Sequence, residues 1–209
     1  MTIATRPDIY FIRHGETDWN AEGRYQGQRD IPLNPKGQAQ ADANGPLLRD
    51  LMAHNGHDPA DFNWRASPLG RTRETMERVR AAFEGELPAV DLDDRLLEIT
   101  FGVMEGRMWH ELAAEGVPAT GERDASFWHY RPEGGESYAD LTERVKPFAA
   151  SIDRPMVIVA HGGIMRALRQ IFYDVPVLEI VNWPTPQDSV IHFTPDRMVI
   201  HASELANSA

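Results

Sequence analysis

The sequence has no cysteine, no long apolar run and no excess of positive charge. The absence of cysteine excludes a disulfide framework, a thiolate metal site and a thiol nucleophile. Its 32 acidic and 21 basic residues give a formal net charge of −11, which argues against general binding to nucleic acid or to an anionic membrane. A local basic pocket within an acidic protein is compatible with this balance.

Apolar runs are short throughout the chain. No stretch approaches the ~18 consecutive apolar residues of a membrane-spanning helix. The first run, 9–12, ends at Arg13 and is too short for the core of a secretory signal. We therefore expect a cytoplasmic protein that does not bind membranes. The 209 residues, 42% of them hydrophobic, suffice for one core, and we expect a single domain over residues 1–209.

Two apolar runs end in the same dipeptide. Residues 8–13 lead into His14-Gly15, and residues 155–160 lead into His161-Gly162. Each run is rich in β-branched or aromatic residues, which is typical of a strand buried on both faces. In open α/β sheets, ligands bind outside the carboxyl ends of the strands. The shared position of the two histidines is therefore the first indication of function.

Strands and helices alternate along the rest of the chain. Further strands are predicted at 62–66 and 89–92, and a hairpin at 189–202. One helix is predicted after Asn34-Pro35, with a kink or break at Gly45-Pro46. Other helices are predicted after Ser67-Pro68, after a capping box at Ser137–Asp140, and at 164–172. This order predicts an α/β fold, a three-layer α/β/α sandwich around a mainly parallel sheet with an antiparallel edge.

The residues around His14 favour phosphate chemistry over metal binding. A neighbouring Arg13 opposes a metal cation, and neither His14 nor His161 has the spacing of a zinc site. A guanidinium offers paired donors to phosphate oxygens, and glycine lets the backbone approach closely. Arg71 lies in the first turn of a predicted helix, where free N–H groups and the helix dipole favour anions.

Together these residues resemble the histidine phosphatase superfamily, also called phosphoglycerate mutase-like. Five motifs of that family occur in order: Arg13 to Asn20 (Arg-His-Gly-Glu-Thr-x-Trp-Asn), Ser67 to Thr72, Glu98 to Gly106, Gly134 to Ser137, and His161 to Gly163. The resemblance covers residues 8–194. It implies the phosphoglycerate mutase-like version of the predicted fold.

The resemblance also implies roles for individual residues. His14 would be the nucleophile that becomes a phosphohistidine, and Glu98 the general acid and base. Arg13, Arg71 and His161 would surround the phosphoryl group and, with His161 protonated, offset its charge. Further phosphate ligands would be Asn20, Gln26 and Gly162. The family mechanism implies no cofactor and no metal, with a small phosphomonoester as substrate and inorganic phosphate as product.

The segment after Glu98 bears on the reaction type. Mutases of the family carry extra basic residues there, whereas residues 106–140 hold three arginines (Arg107, Arg123, Arg131) and seven acids. This balance favours hydrolysis and a phosphatase. A phosphoglycerate mutase-type phosphotransferase is the alternative, and a catalytically weak protein that binds phosphorylated ligands is a third possibility.

A helical lid is expected around residues 104–136. Its aromatic residues either pack the lid on the sheet or form an apolar wall for the leaving group; they are Trp109, Phe127, Trp128 and Tyr130. The stretch Pro132–Ser137 resembles broad-specificity phosphatases and α-ribazole phosphatases. The sequence does not select among substrates of these kinds.

Overall fold

The order of the sheet places the two His-Gly strands side by side. The computed structural model describes residues 6–117 and 125–203. Its strands are β1 (Ile9–Arg13), β2 (Asn63–Ala66), β3 (Val90–Leu92), β4 (Met156–Ala160), β5 (Ser189–Phe193) and β6 (Met198–Ala202). Their order is β3-β2-β4-β1-β5-β6. Strands β3, β2, β4 and β1 are parallel and β5 and β6 antiparallel, which confirms the predicted sheet.

Helices cover both faces of this sheet. They are α1 (Asp18–Ala21), α2 (Pro35–His54), α3 (Gly70–Arg80), α4 (Trp109–Ala114), α5 (Ala125–His129), α6 (Tyr138–Ala150), α7 (Gly162–Tyr173) and α8 (Val177–Asn182). Side chains of β1 alternate between the two faces. Ile9 and Phe11 pack in the core beneath α6 and α7, and Tyr10 and Ile12 in the core beneath α2 and α3. The three-layer prediction is confirmed.

A predicted break in one helix does not occur, and the predicted start of another is wrong. Helix α2 is not split at Gly45-Pro46 but runs continuously from Pro35 to His54. Pro46 is exposed, so the hydrogen bond that it cannot donate is missing on the solvent side. Helix α3 begins at Gly70 instead of after Ser67, because the Gly70 N–H is capped by the carboxylate of Asp30, 2.8 Å away.

The predicted capping box and hairpin are present. Ser137 accepts from the Asp140 N–H, and the Asp140 carboxylate accepts from the Ser137 N–H, at the start of α6. Strands β5 and β6 pair antiparallel, as the predicted hairpin requires. Local sequence therefore defined these two elements correctly.

The predicted lid segment contains helices α4 and α5. Phe127 and Trp128 are buried in the core, consistent with packing, whereas Trp109 is largely exposed. Residues 122–124, which include Arg123 and contribute to the charge balance of 106–140 given above, lie outside the described residues. No helix of the described ranges is both long and apolar enough to cross a membrane.

Two glycines bring the loop after β1 against the start of α2. A Cβ on Gly37 would lie 2.0 Å from the carbonyl oxygen of Glu16, and a Cβ on Gly15 would lie 2.1 Å from the carbonyl oxygen of Gly37. Both contacts are with backbone, which cannot rotate away. This approach fixes the loop that carries His14.

We expect Gly37→Ala to lower the free energy of unfolding by about 3 kcal/mol, because the added methyl group overpacks a rigid contact. Urea denaturation measures this. The control is Gly56→Asn, since a Cβ at Gly56 meets open space and asparagine adopts its left-handed φ of 69°. Equal losses in the two variants would contradict the close contact as the cause.

Candidate active site

Three strand ends converge at one edge of the sheet. The His14 N–H donates to the carbonyl of Ala160 at 3.0 Å, and the Ser67 N–H to the carbonyl of Val159 at 3.1 Å. These bonds continue the parallel ladders beyond β1 and β2. They bring His14, Ser67 and His161 together, although they are far apart in sequence.

The ring of His14 is held as one neutral tautomer. Its Nδ1 lies 2.7 Å from the carbonyl oxygen of Gly15, and its Nε2 lies 3.3 Å from the Nε of Arg71. Arginine only donates, so Nε2 accepts and Nδ1 carries the proton. The lone pair that a nucleophile needs is therefore on Nε2.

The surroundings of His14 oppose its protonation. Burial lowers the pKa of His14 well below its usual range, and the charges of Arg71 and Arg13 lower it further. The bond to the Gly15 carbonyl raises it only partly. The imidazole thus keeps its lone pair in mildly acidic solution.

His161 is also neutral. Its Nδ1 lies 3.3 Å from an Nη2 of Arg71 and accepts from it, so Nε2 carries the proton and donates to the Ser67 hydroxyl at 2.8 Å. Burial, then Arg71 and the neighbouring His14, lower the pKa of His161 well below its usual range. The protonated His161 considered from the sequence is therefore not the form that this geometry favours.

Arg71 links the two histidines from a fully buried position. Its guanidinium also donates to the carbonyls of Arg29 at 2.6 Å and Gly27 at 2.9 Å. Burial lowers its pKa to about 10, against the opposing charge of Glu98. Arg71 therefore stays charged at neutral pH.

The guanidinium of Arg13 has one nitrogen that is anchored by hydrogen bonds and another that has no partner in the described part of the chain. Its Nη1 donates to Thr185, at 2.6 Å to the carbonyl oxygen and 3.1 Å to the hydroxyl. Its buried Nε has no hydrogen-bond partner among the described residues. Burial lowers the pKa of Arg13 to about 10, so it too remains charged. A buried charged donor of this kind suits an anionic oxygen.

The side chain of Glu98 lies next to the N-terminus of α7. Its Oε1 accepts from the N–H groups of Ile99 at 2.9 Å and Gly163 at 3.1 Å. A Cβ on Gly163 would lie 2.3 Å from that oxygen, so glycine is required for this approach. The helix N-terminus thus holds the carboxylate in place.

His14 and Glu98 line the same cavity of ≈ 230 Å³. The other lining residues are Arg13, Asn20, Arg24, Tyr25, Gln26, Gly27, Phe101, Tyr138, Gly162, Gly163, Arg166 and Thr185. All the site residues that were predicted from the sequence line it, except Arg71 and His161. Those two lie behind His14 and contact it or each other.

The two amides of the predicted site have their oxygens engaged. Gln187 donates to the Oδ1 of Asn20 at 3.1 Å, and the Thr17 hydroxyl donates to the Oε1 of Gln26 at 2.7 Å. The amide nitrogens are therefore the groups that could donate to a ligand. Gln187 also donates to the carbonyl of His14 at 3.0 Å, which ties Asn20 to His14.

Sequence reasoning missed two arginines of the cavity. Arg24 donates to the carbonyl of Gly106 at 2.8 Å, and Arg166 to that of Trp183 at 2.8 Å. Each lies a few residues after a family motif, and the neighbouring sequence does not indicate that it lines the same cavity as His14. The cavity is thus more basic than the motifs alone suggested.

Arg144 was also missed, and it positions Glu98. From α6 it donates to the carbonyls of Leu97 at 3.1 Å and Glu98 at 3.2 Å, and it pairs with Glu136 at 2.8 Å. Since Arg144 and Glu98 are 46 residues apart in the sequence, no local pattern could have revealed their contact.

Within residues 6–117 and 125–203, no three His, Asp or Glu side chains form a group that could hold a metal ion.

A family model of the histidine phosphatase superfamily (branch 1) matches residues 9–207. The chain belongs to this superfamily. It is 34% identical over 174 residues to a Salmonella paratyphi C protein named "Probable phosphoglycerate mutase GpmB", covering 80% of this chain and 75% of that protein. The family predicted from the five motifs is confirmed.

Other relatives in the superfamily catalyse different reactions. A 6-phosphofructo-2-kinase/fructose-2,6-bisphosphatase of Caenorhabditis elegans is 29% identical over 199 residues; the match covers 93% of this chain but only 40% of that longer protein. The solved structure of a mycobacterial glucosyl-3-phosphoglycerate phosphatase superimposes with a TM-score of 0.75 at 26% identity, covering 94% of this chain and 98% of that one. These relatives include both phosphatases and a mutase.

The neutral histidines predict a pH dependence of stability. The folded state keeps His14 and His161 unprotonated, while the unfolded chain takes up protons near pH 6.5, so stability falls as the pH decreases through that value. Between pH 7.5 and 5.5 we expect each histidine to remove about 1.4 kcal/mol from the free energy of unfolding. His161→Asn should therefore flatten the dependence measured by urea unfolding.

Ser67→Ala is the control. It removes the partner of His161 but keeps the titrating ring, so stability should fall at both pH values with the slope retained. If His161→Asn shows the wild-type slope, His161 is not held neutral in the folded state.

Proposed function

We propose that the protein is a cytoplasmic, metal-independent phosphomonoester hydrolase that acts through a covalent phosphohistidine at His14. The observation that carries the proposal is the neutral His14 ring, which has its lone pair on Nε2 and lines one cavity together with Glu98 and Arg13. In this proposal His14 is the nucleophile, Glu98 the proton donor and Arg13 a cation for the phosphoryl oxygens, and their shared cavity supports these roles.

In the first step, His14 Nε2 attacks phosphorus and the bond from phosphorus to the ester oxygen breaks. Protonated Glu98 gives its proton to that oxygen, and the alcohol leaves. As Nε2 forms its new bond, the Arg71 Nε that had donated to it becomes free to donate to a phosphoryl oxygen. Arg13 Nε supplies a second charged donor, and these donors stabilise the charge in the transition state.

In the second step, water replaces the histidine. The Glu98 carboxylate takes a proton from water, the resulting oxygen attacks phosphorus, and the bond to Nε2 breaks to release inorganic phosphate. In this proposal Asn20, Gln26, the Gly162 backbone and His161 complete the phosphate site. The segment around residues 104–136 acts as the lid.

Two observations bear on hydrolysis against phosphoryl transfer between positions of a substrate. Arg107 and Arg131 of the lid segment form exposed pairs with Glu115 and Asp140 and do not line the cavity, which supports hydrolysis. Arg24 and Arg166 do line it, however, and could bind an acidic group of a phospho-acid. With the 34% identical relative, this keeps a mutase-type phosphotransferase as the second candidate.

We do not favour a protein that only binds phosphorylated ligands. Such a protein would be expected to lack part of the catalytic set. His14, Glu98, Arg13 and Arg71 are all present, and each makes directed contacts in the structure.

A substrate labelled with ³²P should give a protein-bound label that is stable in base and lost in acid, as a phosphohistidine is. His14→Ala should still bind inorganic phosphate but lose about 10³-fold or more in kcat. The control His54→Ala, at an exposed position at the end of α2, should retain full activity. A label that survives acid, or activity that a chelator abolishes, would refute the mechanism.

A separate assay distinguishes the two candidate reactions. With 3-phosphoglycerate as substrate, we expect the release of inorganic phosphate to exceed conversion to 2-phosphoglycerate, because the cationic residues of the lid are paired outside the cavity. Chromatographic separation of the products over time measures both rates. Isomer formation faster than phosphate release would make the protein a mutase.

A further inference from the structure

A second cavity adjoins the one that contains His14. It has a volume of ≈ 180 Å³ and is lined by Asn20, Gly23, Arg24, Tyr25 and Trp109. We call it the outer cavity and the one with His14 the inner cavity. Asn20, Arg24 and Tyr25 line both, so the two cavities are neighbours that share these three side chains.

Neither cavity alone has the size of a site for a small organic ligand, which is about 300–1,000 Å³. Joined, the inner ≈ 230 Å³ and the outer ≈ 180 Å³ fall within that range. The inner cavity holds the nucleophile and the cations for the phosphoryl group. The outer cavity is therefore available to the group on the other side of the ester bond.

Trp109 offers an aromatic surface at this position. It is 52% exposed, whereas Phe127 and Trp128 of the same segment are 4% and 5% exposed. Among the exposed large apolar side chains of the described residues Trp109 is the aromatic one, and it lines the outer cavity. Trp109 is thus the lid aromatic that can contact a ligand without displacing the core.

The backbone fixes where the indole stands. The Trp109 N–H donates to the carbonyl of Gly23 at 3.0 Å, and Tyr25 and Arg107 are joined in the same way at 3.0 Å. A Cβ on Gly23 would lie 2.7 Å from two atoms of the indole ring. The close contact with Gly23 restrains one edge of the ring, which is otherwise about half exposed and lines the outer cavity.

Arg24 connects this aromatic surface to the inner cavity. Its Nη1 is held by the carbonyl of Gly106 at 2.8 Å, and its Nε pairs with Glu22. A guanidinium held in this way can donate to ring substituents or hydroxyl groups and can also stack on a planar ring. The groove therefore combines an indole and a guanidinium, both attached to an ordered backbone.

From these observations we infer that the outer cavity binds an aromatic or heteroaromatic ring of the leaving group, stacked on Trp109 and contacted by Arg24. The inference rests on the proposed phosphatase function and adds a substrate class to it: aryl or nucleoside-type phosphomonoesters, whose ring is joined to the phosphate by a short linker. Trp109 is then a determinant of specificity and takes no part in the chemical steps.

Steady-state kinetics with four phosphomonoesters test this inference. Phenyl phosphate and adenosine 5′-monophosphate carry a planar ring, glucose 6-phosphate carries a non-aromatic ring, and methyl phosphate carries none. Trp109→Ala should lower kcat/KM about fivefold to tenfold for the first two, mainly through KM, because a stacked aromatic pair contributes ~1 kcal/mol. The value for methyl phosphate should change less than about twofold.

Two further variants control for indirect effects. Trp109→Phe keeps an aromatic face and should restore most of the loss. Leu178→Ala removes an equally exposed apolar side chain that lines neither cavity, and it should leave all four substrates unaffected. The inhibition constant of inorganic phosphate should be the same in wild type and Trp109→Ala, because the inner cavity is unchanged.

The outcomes separate this inference from the proposed function. A wild-type protein that hydrolyses none of the esters would refute the phosphatase proposal. A wild-type protein that hydrolyses them, with Trp109→Ala affecting all four equally or none, would overturn the ring subsite alone. A loss confined to glucose 6-phosphate would assign the groove to sugars and would also overturn the aromatic class.

Discussion

The buried guanidinium of Arg71 is the interaction on which the rest of the site depends. It donates to a ring nitrogen of His14 and of His161, and to the carbonyls of Gly27 and Arg29. Taking a charge out of water is costly unless its donors are satisfied, and here all three guanidinium nitrogens have protein partners. One side chain thereby connects the ends of β1 and β4 with the loop that carries Gln26.

Arg71 occupies an unfavourable position in its helix, so the stability of the fold alone does not explain why a buried arginine is found there. It is the second residue of α3, where the helix dipole disfavours a cation. The Asp30 carboxylate that caps Gly70, together with the charge of Glu98, compensates in part. The result is a cation aimed at Nε2 of His14. After burial, which is the larger cause, this cation lowers the pKa of the histidine, and it leaves the nitrogen's lone pair accessible to an electrophile once the weak 3.3 Å bond is exchanged.

Much of this could be predicted where the responsible forces are local. The buried strands β1 and β4 follow from continuous apolar runs, and the start of α6 from its capping box. The motifs also named His14, Arg71 and Glu98, which the structure brings close together. The family assignment followed from the order of these motifs.

The errors and omissions occur where distant contacts decide. Ser67 was expected to open α3, but its hydroxyl accepts from His161, 94 residues away, and Asp30 caps the helix instead. The break expected at Pro46 does not occur, since α2 packs along α3 on one side and exposes the proline on the other. Arg144 reaches the Glu98 segment from a separate helix. None of these pairings leaves a local pattern.

The charges around the cavity show most clearly how a local sequence pattern and distant contacts can lead to different conclusions. By sequence alone, the acidic composition of residues 106–140 favours hydrolysis over a mutase reaction, but charges act over a few ångströms and not over a sequence window. The arginines of that segment that the structure describes form pairs with acids outside the cavity, while Arg24 and Arg166 enter it from elsewhere. A net charge of −11 therefore coexists with a cationic site. In the proposed reaction, selectivity for the leaving group then depends on the shape and surface next to these arginines, and in this chain that surface includes an exposed indole.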